Sequence, residues 1–125
     1  MQNSLGEREV LLKLWAKEDR GRGPILFPPD MTQKGVPKEC FKLYRRLWLS
    51  YESATECFSA LLSKGWGKTP RLWRMILSLA HAELMWNDDR SDDHGVVNSW
   101  VELAKTMSTK GSVPVINGCL RALCR

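Results

Sequence analysis

Apolar residues recur at helical spacing along most of this chain and at strand spacing nowhere. Val10, Leu11, Leu14 and Trp15 share one face of a first segment, behind a capping box of Ser4 and Glu7. Cys40, Leu43, Tyr44, Leu47, Trp48 and Tyr51 follow at i, i+3, i+4, i+7, i+8 and i+11, which predicts a helix over 37–51. A second capping box, Ser53 with Glu56, predicts a new helix with Ala54, Cys57, Phe58, Leu61 and Leu62 inward. Gly65 reads as the left-handed residue that ends it, Thr69 as the next N-cap and Pro70 as the first helical position. Leu72 to Trp86 is apolar nearly all round, the mark of a buried central helix, with one polar stripe of Arg71, Arg74, Ser78 and His81. Asp92 or Asp93 caps the helix after it, from which Val97, Trp100, Val101 and Ala104 face inward. Pro114 opens the last helix, whose Val115, Ile116, Cys119, Leu120 and Leu123 close the core. Gly118 inside that helix costs about 1 kcal/mol against Ala, which predicts another backbone passing close to it.

The fold class is therefore all-α: six to seven helices in two packed subdomains, with the helix over 69–86 crossing the middle. The seventh is a short turn around Ile25–Phe27, in an irregular loop broken by Pro28-Pro29 and Gly35. At 125 residues the chain makes a single domain over 1–125, whole or as part of a longer protein. The six Trp residues are expected mainly in the core. No apolar run approaches the roughly 18 residues of a membrane span, and no signal peptide precedes the first helix. The four cysteines form no CxxC pair, so reduced thiols in a cytoplasmic protein are the simplest account.

The net charge of +5 is unevenly placed. Residues 1–36 carry six Lys/Arg against five Asp/Glu, residues 37–74 eight against three, and residues 75–125 five against six. The whole excess lies in the middle third. Lys38, Lys42, Arg45 and Arg46 fall together on the polar side of the 37–51 helix, and Lys64, Lys68, Arg71 and Arg74 stand at or near the next helix start. Like charges at i, i+4 cost a few tenths of a kcal/mol each, a small penalty that a polyanion such as RNA would relieve. A basic face serving solubility alone accounts for so modest an excess equally well. Catalytic chemistry finds no foothold. The two histidines lack motif partners, and His81 reads as a structural group. There is no Gly-rich phosphate loop, dinucleotide fingerprint or metal-ligand cluster. Asp88, Asp89, Asp92 and Asp93 lack the Gly and the closing Glu of a calcium loop.

Two C-terminal stretches, HGVVNSWVELAK and VINGCLRALCR, together with LSLAHAEL ahead of them, resemble the NusB-type helical domain. The resemblance covers Thr69 to Arg125 well and Glu39 to Lys64 loosely. Asp92 and Asp93 stand where the family has prolines, Ala82 where it has an aromatic, and Arg45-Arg46-Leu47-Trp48 where it has G-x-L-R, the pattern of a divergent member. The fold occurs as a stand-alone antitermination factor and as the N-terminal domain of RsmB-type rRNA cytosine methyltransferases. The balanced first helix, with Glu7, Arg8, Glu9, Lys13, Lys17 and Glu18, and the tail at Arg125 point to the methyltransferase. On that reading the chain is a non-catalytic RNA-binding domain that binds no cofactor itself, with S-adenosylmethionine in a further catalytic domain. The alternatives are a stand-alone antitermination factor or a helical protein-interaction module. The implied partners are RNA, above all rRNA, and a ribosomal protein.

Overall fold

The computed structural model describes residues 5–19, 41–63, 65–86, 92–107 and 111–123, with the side chains of 8–15 in the first helix. Five helices make up this part: α1 Leu5–Asp19, α2 Phe41–Leu61, α3 Arg71–Met85, α4 Asp93–Met107 and α5 Ser112–Arg121. No strand occurs among the described residues. The regular structure of the described residues is thus all α-helix, in five helices where six to seven were expected of the whole chain. The Ser4–Glu7 capping box and the turn around Ile25–Phe27 lie outside the described residues.

One missing helix is a correction. The expected break at Ser53 does not occur, and α2 runs unbroken through it. Leu43, Tyr44, Leu47, Ser50, Tyr51, Ala54 and Phe58 are all buried. That stripe keeps the 3.6-residue period across the supposed boundary, so burial holds the helix together where local capping chemistry could have ended it. The polar side chains join in: the Ser50 hydroxyl donates to the Arg46 carbonyl (2.8 Å), and the Thr55 hydroxyl to the Glu52 carbonyl (2.8 Å). Gly65, at φ 82°, then turns the chain as expected, its N–H donating to the Leu62 carbonyl (3.0 Å). Thr69 does not cap α3. Its hydroxyl donates back to the Gly65 carbonyl (2.8 Å) and closes the turn, while Pro70 occupies the cap position.

Helix α3 is the axis of the fold. It packs against α2 on one side and against α4 and α5 on the other, with α1 laid over α3 and α4. Every residue from Arg74 to Leu84 is buried, so even its polar stripe faces protein. Leu11, Leu12 and Trp15 bury the inner face of α1, whereas Val10 is exposed, contrary to the expected stripe. Trp15, Trp66 and Trp100 belong to the core, but Trp48 and Trp86 stand at the surface. Cys57 and Cys119 are free thiols, and burial, with Cys57 nearby, pushes the Cys119 thiol up. No helix among the described residues is long and apolar enough to cross a membrane.

Gly118 is the second correction. It is exposed, and a Cβ built there meets nothing within 4 Å. No backbone approaches it among the described residues, so there the glycine entropy is offset by no packing. Gly118→Ala is therefore expected to raise the unfolding free energy by about 0.5–1 kcal/mol, as read from urea denaturation.

Candidate nucleic-acid interface

The face of α2 opposite its buried stripe is built by helical spacing alone. Arg45 lies at its centre, Phe41 and Trp48 flank it on one side, and Lys42, Leu49 and Arg46 flank it on the other. Phe41, Lys42, Arg45, Trp48 and Leu49 are exposed, and Arg46 is half-buried. The aromatic rings are fixed from beneath. Tyr44 is buried, with Trp48 edge-on to it at 6.4 Å between centroids and Phe41 tilted against it at 6.5 Å. Among the described residues, Phe41, Lys42 and Arg45 line a cavity of about 270 Å³. None of Lys42, Arg45 and Arg46 forms an ion pair with an acid among the described residues.

The six described cations among the eight singled out in the sequence do not form one patch. Lys42, Arg45 and Arg46 sit together on the first turns of α2. Lys68 is exposed in the turn after α2, and about 24 Å of helix separates Arg45 from that end. Arg71 is half-buried at the start of α3, and Arg74 is buried, its charge close enough to act on the Tyr51 phenol. Burial at 4% exposure removes Arg74 from any phosphate-binding surface. Lys38 and Lys64 lie outside the described residues.

Phe41 and Trp48 were not among the residues singled out. Trp48 falls at i+8 from Cys40 and so counted as inward-facing, yet it is 46% exposed. The spacing Phe41, Arg45, Trp48 is an equally good helical stripe, and an aromatic–cation–aromatic stripe is the available signal.

Beneath this surface the scaffold is tied by charge. The Arg8 side chain of α1 makes a two-pronged ion pair with Glu83 of α3, its Nε donating to Oε1 at 2.8 Å and its Nη2 to Oε2. The Trp100 indole N–H of α4 donates to the same Oε1 (2.9 Å), and the guanidinium lies 5.9 Å from the Trp100 ring centroid. Three helices thus meet on one buried carboxylate. On the other side of α3, His81 is buried edge-on against Phe58 (5.8 Å), which itself stacks on Trp66 (6.0 Å). Burial holds the His81 imidazole below its ordinary range. The unfolded chain then binds a proton that the folded chain refuses. Stability contributed by neutral His81 is complete above about pH 6.5 and is lost as the pH falls below it, at up to about 1.4 kcal/mol per pH unit. Unfolding curves between pH 7 and 5 are expected to show this slope in the wild type and a flatter one in His81→Phe.

Comparison with known proteins agrees with this architecture. The chain is 39% identical over 77 residues to the transcription antitermination protein NusB of Arthrobacter sp. (strain FB24), an alignment covering 60% of this chain and 56% of that protein. The same figures hold for the transcription antitermination protein NusB of Pseudarthrobacter chlorophenolicus. The chain thus spans just over half the length of the curated relatives it matches. No solved structure matches it significantly. The sequence profile of the NusB family matches residues 32–125, which takes in α2 to α5, and the chain belongs to the NusB family.

Proposed function

We propose that this chain is an RNA-binding module of the antitermination-factor kind, and that it grips unpaired RNA on the exposed face of α2. The observation that carries the reading is Arg45 set between two half-exposed rings, Phe41 and Trp48, with Lys42 and Arg46 alongside. Cations track a phosphate backbone, and rings stack on bases that are free of a duplex. Both named relatives are antitermination proteins, which favours this role over the N-terminal domain of an rRNA cytosine methyltransferase. The methyltransferase reading rests on the balanced charge of the first helix. RNA, rRNA foremost, is the partner on either reading, and a ribosomal protein is a further one.

Titration of a single-stranded rRNA-derived oligonucleotide tests the proposal. Trp48→Ala is expected to weaken binding by about 1–3 kcal/mol, the usual worth of one stacked base, with no loss of fold because Trp48 lies outside the core. Unchanged affinity in Trp48→Ala would remove stacking from the account. Binding of a ribosomal protein that survives Trp48→Ala, with no RNA binding by either protein, would move the function to protein interaction.

A further inference from the structure

The motif residues that carry the family resemblance converge at the seam between α4 and α5, away from the α2 face. His94 and Asn98 come from α4, Asn117 and Arg121 from α5. The Arg121 guanidinium donates through Nε to Asn117 Oδ1 (3.2 Å), through Nη2 to Asn98 Oδ1 (2.7 Å) and through Nη1 to His94 Nδ1. None of the three acceptors is a carboxylate, and no carboxylate pairs with Arg121 among the described residues. Its charge is held in place with no counter-charge among the described residues.

What this network leaves over decides its chemistry. A guanidinium has five N–H groups and no acceptor, so both Asn side chains must present oxygen to it and His94 must present a bare Nδ1. What remains is mostly donors: both N–H of Nδ2 on Asn98 and on Asn117, the Nε2–H of His94 and two N–H groups of Arg121, against one spare lone pair on each Asn oxygen. A cluster of donors around an unpaired, immobilised cation suits an anion with several accepting oxygens. Gly118, next to Asn117 and one turn before Arg121, adds no side chain to the surface, and a Cβ built there meets nothing within 4 Å among the described residues.

We propose that His94, Asn98, Asn117 and Arg121 form a phosphate-binding site at the α4–α5 seam, occupied by a backbone phosphate of bound RNA. The choice of RNA as the source rests on the function proposed above, whereas the site's preference for phosphate does not. A tetrahedral phosphate can accept from donors on both helices at once, and a two-oxygen carboxylate uses fewer of them.

The test has two arms on the full chain. In the first, side-chain amide signals of Asn98 and Asn117 are followed by nuclear magnetic resonance during addition of inorganic phosphate, of a single-stranded RNA oligonucleotide and of an oligoglutamate peptide. In the second, RNA affinity is measured against salt for wild type, Arg121→Gln, Arg121→Lys and Asn98→Ala, with thermal unfolding to confirm that each variant folds. Both phosphate and RNA should move the two amide signals. Arg121→Gln should reduce the steepness of the log–log salt dependence by about 0.7, the loss of one single-strand phosphate contact. Arg121→Lys and Asn98→Ala should weaken binding several-fold yet keep the slope, because the charge stays and only its placement is lost. If RNA binds through α2 and Arg121→Gln leaves its slope unchanged while phosphate still moves the signals, RNA is overturned as the source and a free phosphorylated molecule takes its place. Signals that answer only to oligoglutamate, or to nothing, overturn the phosphate site itself, whether or not RNA binds on α2.

Discussion

Glu83→Ala is expected to cost about 3–5 kcal/mol of unfolding free energy, the usual penalty for breaking a buried ion pair from one side. The substitution strands the Arg8 guanidinium, only 2% exposed, without its counter-charge, and leaves the Trp100 indole N–H without its acceptor. For a domain with about 5–15 kcal/mol in hand, the loss should lower the melting temperature by about 10–20 °C. The effect belongs to a stranded charge more than to the attraction between the partners. Arg8→Met combined with Glu83→Leu, which removes both charges and retains apolar bulk, should therefore lose much less than the sum of the two single substitutions. Urea denaturation of the four proteins checks the cycle. Additive losses would mean that the junction of α1, α3 and α4 is held by apolar packing and that the ion pair is incidental.

Lys42→Glu with Arg45→Glu is expected to weaken RNA binding by about 10–100-fold at 0.1 M salt. Each substitution deletes a charge-assisted contact, worth about 1.5–3 kcal/mol when desolvated and less on an exposed, screened surface, and puts a repelling carboxylate in its place. Both side chains are exposed on α2 and touch no core residue's hydrogen bonds among the described residues, so the fold should survive. Reversal at Lys105, which is exposed and paired with Glu102 on α4, serves as the control and should change affinity little. Equal losses at Lys105 and on α2 would point to net charge as the cause, with no defined surface.

What could be read ahead of the structure was whatever repeats along a helix. The buried stripes of α3, α4 and α5 follow directly from spacing, and Gly65 takes the left-handed conformation its place in the turn suggested. Ser53 with Glu56 looks like a helix start because capping chemistry is local, but Tyr51, Ala54 and Phe58 are buried on one continuous face, and tertiary packing overrides the local signal. Gly118 misled in the opposite sense: a glycine in an apolar helix implies close approach, yet its side of α5 faces outward. The Arg8–Glu83 pair joins residues 75 positions apart and leaves no periodic trace. Asn98, Asn117 and Arg121 were visible as parts of motifs, but only the packing of α5 against α4 brings them to one guanidinium. On α2 the cations were legible from charge and spacing. Phe41 and Trp48 were not, because an aromatic near a helix's apolar edge is assigned to the core by default.

The central claim is that the exposed face of α2 binds RNA. A salt titration of wild type beside Lys42→Glu/Arg45→Glu, with one single-stranded rRNA fragment, tests it most directly. Three phosphate contacts from Lys42, Arg45 and Arg46 predict a log affinity against log salt slope of about −2 for the wild type, steeper by about 0.7 if Arg121 adds a fourth. The double variant should bind more weakly and with a slope shallower by about 1.4. Identical affinities and identical slopes for the two proteins would contradict the account.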